Sequence, residues 1–140
     1  MTWYFHNTPI EFTENDIGDA FGFVYIISHK KTGRKYIGKK FFTKSKTKQV
    51  KGKKKKSRVS SDWLTYWGSN KELQADVLAN GESEYTREII HVCKTRSECS
   101  YLETWEIFKR HALLNESYYN AWVTCKIHKA HLGGLHNKSL

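Results

Sequence analysis

Residues 23–38 constrain the fold of this chain more than any other stretch. Phe23-Val24-Tyr25-Ile26-Ile27 and Lys35-Tyr36-Ile37-Gly38 are apolar, β-branched and aromatic, so each reads as a short strand. Between them lies Ser28-His29-Lys30-Lys31-Thr32-Gly33, a polar loop with a turn glycine. The expectation is an antiparallel hairpin. In a symmetric register the pairs 23/38, 25/36 and 27/34 face each other, with Tyr25 and Tyr36 as cross-strand neighbours. Gly38 ends the second strand, where a side chain would be too bulky for a close approach.

Charge is the second constraint. The chain carries +10, and the excess is local: residues 39–58 hold ten Lys and Arg58 with no acid, while the flanks nearly cancel. Such a block is an electrostatic footprint for phosphate polymers. Its candidates for contact are Lys39, Lys40, Lys44, Lys46, Lys48, Lys51, Lys53, Lys54, Lys55 and Lys56. A stretch such as Lys51-Gly52-Lys53-Lys54-Lys55-Lys56 buries nothing, so residues 44–58 read as a disordered, low-complexity insertion. A membrane surface is disfavoured, because only Phe41 and Phe42 offer an apolar face beside the lysines.

At 140 residues, 39% hydrophobic and 14% aromatic, the chain is expected to form one domain with a real core. No apolar run approaches the ~18 residues of a membrane span. The first residues lack the layout of a signal peptide, and three cysteines do not suggest a disulfide framework, so an intracellular location is expected. Residues 1–20 read as an irregular lead-in, and a helix is expected to start near Phe41. Asn70 caps a helix over 71–80 that ends at Gly81. Residues 85–92 read as a third strand. Thr95-Arg96-Ser97-Glu98 has capping-box spacing and opens a helix to about 113. Its expected buried stripe is Tyr101, Trp105, Phe108 and Ala112, widened by Leu102. The tail from 122 to 140 is basic and is expected to fray after Gly133-Gly134. The fold class is therefore α/β (α+β), a small three-stranded, largely antiparallel sheet flanked by helices.

Three groups could carry chemistry. Glu103 flanks the stripe of the last helix, with Glu106 one turn on as an alternative. A hard carboxylate in a phosphate-binding protein suits Mg²⁺ or Mn²⁺. Asn120, in Tyr118-Tyr119-Asn120, could orient a phosphate or brace the site. Cys93, Cys99 and Cys125 with His128 and His131 have spacings looser than structural zinc sites prefer, so buried free thiols are the favoured reading. Trp63, Tyr66 and Trp67 could stack on bases, but core packing is favoured.

On these residues the chain resembles the GIY-YIG nucleases. Phe23-Val24-Tyr25 and Tyr36-Ile37-Gly38 match the family's two three-residue motifs, Glu103 its helical metal-binding Glu, and Asn120 its later Asn. The resemblance spans roughly 22–121, and it is similar to the small stand-alone bacteriophage members, some of homing type. The chain departs from the pattern in three places. Phe23 stands where the first motif has Gly. The Lys-rich insertion occupies the region of the family Arg, leaving Arg58 or Lys40 to fill that role. Tyr66 lies near the place of the family's helical His. The resemblance implies metal-assisted phosphodiester hydrolysis on DNA, double-stranded in the simplest case. Tyr25 or Tyr36 would position or deprotonate water, with lysines lowering the phenol pKa. Glu103 would hold the metal, Arg58 or Lys40 the phosphate oxygens, and Asn120 would brace the site. A catalytically silent nucleic-acid-binding module and an RNA-directed nuclease are the alternatives. The oligomeric state stays open, a transient dimer included.

Overall fold

The computed structural model describes residues 2–136. Its main sheet has five strands rather than the expected three. They are β1 (Trp3–Phe5), β2 (Glu11–Phe12), β3 (Gly22–His29), β4 (Lys35–Phe41) and β7 (Tyr85–Cys93), in the order β2-β1-β7-β3-β4. All neighbours are antiparallel except β1 and β7, which run parallel. The lead-in is thus part of the sheet. Trp3 explains why: its ring is buried against Phe23 and Tyr25, and its Nε1 donates to the Trp63 carbonyl at 2.8 Å. Burying one such ring contributes about 2–3 kcal/mol, which offsets much of the backbone entropy lost in ordering so short a strand.

The lysine block is also ordered. β5 (Thr43–Val50) and β6 (Lys53–Ser60) form a separate two-stranded antiparallel ribbon. Its turn residues Lys51 and Gly52 both have positive φ, 51° and 76°, the type I′ geometry that matches strand twist. No helix begins at Phe41; strand β4 runs through it.

Two helices cover opposite faces of the sheet. α1 (Lys71–Asn80) is capped by Asn70, whose side chain accepts from Leu73 N, and it ends at Gly81 as expected. Leu73 and Val77 close it over an aromatic core that includes Trp3, Phe23, Tyr25 and Trp63. α2 (Arg96–Lys109) starts at the Thr95 cap and packs on β3, β4 and β7. It ends at Lys109, short of 113, because His111 takes a left-handed φ of 53°. Its buried face is Glu98, Cys99, Leu102, Glu106 and Ile107. The expected stripe is displaced by about one position: Tyr101 and Phe108 are exposed, whereas Ala112 is buried beyond the helix. Past Gly133-Gly134 the chain does not fray at once, since Leu135 is buried in the core under α2. Residues 137–140 lie outside the described part.

Candidate active site

The β3–β4 register is shifted by two residues from the symmetric expectation. Tyr25 faces Gly38, and Ile27 faces Tyr36. The shift explains Gly38. The Tyr25 ring lies across that position, and a Cβ there would run into its phenol. Tyr25 and Tyr36 still share a face as diagonal neighbours, with ring centroids 6.2 Å apart and tilted by 45°. Gly68, at φ 86°, closes the other side of the pair, with little room for a Cβ against both rings.

The two tyrosines differ in access. Tyr25 is 1% exposed. Burial, with the neighbouring Tyr66 and Tyr36 phenols and Glu103, pushes its pKa well above the ordinary tyrosine value. Tyr36 is half-buried, and its hydroxyl pairs with Ser69 Oγ at 3.1 Å. Burial raises it as well, and the Ser69 bond offsets that only in part. The shift runs opposite to the expected lowering by lysines: desolvation of the phenolate leads, with Glu103 and the neighbouring phenols adding to it.

β4 is an edge strand, and its outward groups need partners. Two successive outward positions, Lys35 and Ile37, find them. Lys35 N–H donates to Ser117 O at 2.8 Å, and Tyr119 N–H donates to Lys35 O at 2.7 Å. Ile37 N–H donates to Asn120 Oδ1 at 3.0 Å, while Asn120 Nδ2 donates to Ile37 O at 2.8 Å. The backbone and ammonium of Lys39 face Glu103 and favour its charged form. One edge thus fixes Asn120 and borders Glu103. Asn120 has both ends of its amide committed to Ile37, which is a bracing role and leaves phosphate orientation to other groups.

The result is a recess of about 230 Å³ around Tyr36, Ser69, Glu103, Asn120 and Trp122. Burial raises the Glu103 carboxyl above its usual value, with the Lys39 ammonium and N–H opposing. Among the described residues no cluster of three or more His, Cys, Asp or Glu could hold a metal. A single half-buried carboxylate facing an open recess still fits Mg²⁺, which keeps most of its waters and needs one or two protein oxygens. Glu106 does not compete. Its oxygens are taken by His91 at 3.2 Å and Arg110 at 3.0 Å, with Lys109 at 3.5 Å. Burial pushes its carboxyl up, but those bonds prevail and hold it below its usual range.

The cations divide. Lys40 Nζ lies 4.0 Å over the Tyr66 ring, which meets Tyr25 edge-on at 6.0 Å, and it pairs with Asp62 at 2.7 Å. Lys39 reaches Ser100 at 2.7 Å and remains close to Glu103. Arg58 sits at the ribbon base, bonded to Thr43 and Ser45, in a different recess from Tyr36. The other lysines of the block, from Lys44 to Lys56, project from the ribbon into solvent.

Of the remaining candidates, Trp63 is core, with Tyr66 and Trp67 packed at its margin. Cys93 and Cys99 are buried side by side, and the Cys99 thiol is pushed far up by its bond to Cys93 and by burial. Cys125 is exposed and bonds only Ser100 O. Ser69 and the 75%-exposed Trp122 carry no motif signal in the sequence; only their places beside Asn70 and Asn120 hint at them.

No helix among the described residues is long and apolar enough to cross a membrane. No curated protein and no solved structure matches the chain. A family model described as "Putative endonuclease segE, GIY-YIG domain" matches residues 3–123, from the first strand to just beyond Asn120 and Trp122. With that span matched, the chain belongs to the GIY-YIG endonuclease family.

Proposed function

We propose that this protein is a metal-dependent endonuclease that hydrolyses DNA phosphodiester bonds. The observation that carries this reading is the convergence of Tyr36, Glu103 and Asn120 on one recess along the outer edge of β4. Glu103 would hold a Mg²⁺ ion, which supplies charge stabilisation at the phosphate and leaving oxygen when bound. The chain's own groups do the rest. Tyr36, with its pKa raised, stays protonated near neutral pH. It orients water or a phosphate oxygen through its hydroxyl, with Ser69 fixing the direction of that hydroxyl. Its phenolate is too scarce for Tyr36 to be a strong base. Tyr25 is too deeply buried to touch substrate and supports the ring of Tyr36 from behind. Lys39, close enough to act on the Glu103 carboxyl, and Lys40, over the Tyr66 ring that meets Tyr25, would hold the non-bridging oxygens. Asn120 keeps Ile37, and with it the strand that carries Tyr36, at fixed height.

The ribbon supplies affinity. Lys44, Lys46 and Lys48 share a face with Lys53 and Lys55, while Lys54 and Lys56 share the other with Arg58. Phosphate contacts of this kind position a duplex without reading its sequence.

The test is cleavage of plasmid DNA with Mg²⁺, with EDTA, and by Glu103→Ala. Cutting is expected only from the unaltered protein with Mg²⁺. The variant should lose on the order of 10²–10³-fold in turnover. Cleavage that survives Glu103→Ala removes Glu103 from the metal site. Salt-sensitive DNA binding without any cleavage replaces the nuclease by a silent binding module, and preferential cutting of RNA replaces the substrate.

A further inference from the structure

Arg58 and Arg96 approach each other from opposite ends of the chain's middle third. Arg58 is near the end of β6, and Arg96 opens α2. Both guanidiniums rest on one aromatic pair. Arg58 lies 5.0 Å over Phe21, and Arg96 lies 5.8 Å over Phe21 and 4.9 Å over Phe41; the two rings are themselves 4.9 Å apart. Together with Lys39, Lys40 and Lys44 they line a second recess, of about 310 Å³, at the base of the ribbon.

The charge balance of this recess is one-sided. Its acid, Asp62, is bound to Lys40 at 2.7 Å, which holds its carboxyl below the usual range. Arg58 is held by neutral acceptors alone: Thr43 Oγ1 at 3.1 Å, Ser45 Oγ at 2.9 Å and Thr43 O at 2.8 Å. Among the described residues neither arginine has a carboxylate partner. Two like-charged forks on an apolar floor repel each other unless an anion lies between them. Arg58 gives three of its five N–H groups to those acceptors and keeps one on each terminal nitrogen, and among the described residues the Arg96 guanidinium donates to no acceptor, so both can still meet an oxygen ligand.

We infer that this recess is a second phosphodiester site, in which Arg58 and Arg96 grip the backbone of the DNA away from the bond to be cut. The inference rests on the reading of the chain as a DNA nuclease. β4 carries the chain from Tyr36 to Phe41, about 17 Å at roughly 3.4 Å per residue. One strand of a duplex presents a phosphate about every 3.4 Å along its axis, so a strand laid along β4 would place the grip about five nucleotide steps from the cut, with Lys39, which lines the second recess and lies near Glu103, between them. Arg58 would then act in register and affinity, and the role beside the reacting phosphate stays with the lysines.

The test measures binding of a duplex oligonucleotide over a salt series, without Mg²⁺, for the unaltered protein, Arg96→Gln and Arg96→Lys. Arg96→Gln should weaken binding about tenfold and lower the log–log salt slope by about one. Arg96→Lys should restore the slope. Unchanged affinity and slope in Arg96→Gln, beside normal binding by the unaltered protein, overturn the site alone. Failure of the unaltered protein to bind duplex at low salt overturns the DNA reading itself. If Arg96→Gln does not fold, phenylglyoxal modification of the unaltered protein decides: duplex should shield Arg58 and Arg96, and equal reactivity with and without DNA rejects the site.

Discussion

The molecule contains two hairpins of similar length with opposite reasons to exist. The β3–β4 hairpin is held from outside itself. Seven of the eight residues of β3, all but Ser28, are buried, and helices cover both faces. The β5–β6 ribbon is exposed along nearly its whole length, and its ladder sets Lys48 against Lys55 and Val50 against Lys53. Like charges directly opposed weaken a strand pair. Hydrogen bonds and a type I′ turn shape it, and a polyanion would relieve its repulsion. The first hairpin is a scaffold for chemistry; the second is a charge carrier with a shape.

Deleting residues 47–56 should separate the two most clearly. Binding of duplex DNA is expected to weaken about 100-fold at low salt and the salt slope to flatten by several units, because six lysines leave with the segment. The thermal midpoint should stay where it was. A melting temperature that falls with the deletion would show that the ribbon supports the core, and the contrast would fail.

Backbone glycines offer a second cut through the same contrast. Gly38→Ala pushes a Cβ into the Tyr25 phenol and should cost about 1–3 kcal/mol in urea denaturation. Gly52→Ala has open space around it and strain only from its φ of 76°, so its cost should stay within the ribbon and leave global unfolding unchanged. Equal losses in the two variants would mean that the hairpins unfold as one unit.

The smallest effect is one of pH. A carboxylate must be deprotonated to ligate a metal. The pKa of Glu103 is raised by burial, so apparent Mg²⁺ affinity should fall as pH drops through a value above the ordinary glutamate range. Metal titrations of cleavage between pH 5 and 8 would locate this limb. The same acid limb in Mg²⁺-free DNA binding would assign it to some other group.

The scaffold hairpin was legible because its strands alternate β-branched and aromatic residues around a turn glycine. The helix caps at Asn70 and Thr95 were legible because capping depends on a few local atoms. The register was not, since it is set by the Tyr25 ring lying over Gly38, a contact between strands. β1 and β2 escaped because strands of three and two residues have no period to read; only the burial of Trp3 and Phe12 reveals them. The ribbon was hidden by composition. Lysines outweighed the signals at Thr43, Thr47, Val50 and Val59 and the Lys51-Gly52 turn, which together spell a hairpin. In the site, Glu103 and Asn120 could be singled out by residue type. That Asn120 fastens to an outward group of β4 while Lys39 of the same strand lies beside Glu103 is a tertiary fact, and it sets Tyr36 in a different recess from Arg58.

The capping of β4 by a distant stretch of chain also bears on when the protein becomes dangerous to the cell that makes it. Strand β4 emerges early during synthesis, but its outward groups at Lys35 and Ile37 stay open until Ser117, Tyr119 and Asn120 have left the ribosome and returned to it. Until then the recess around Tyr36 lacks a wall, and the nascent edge is free to pair wrongly. An unfinished chain would carry its lysine ribbon, and so an attraction for nucleic acid, before it had a completed blade.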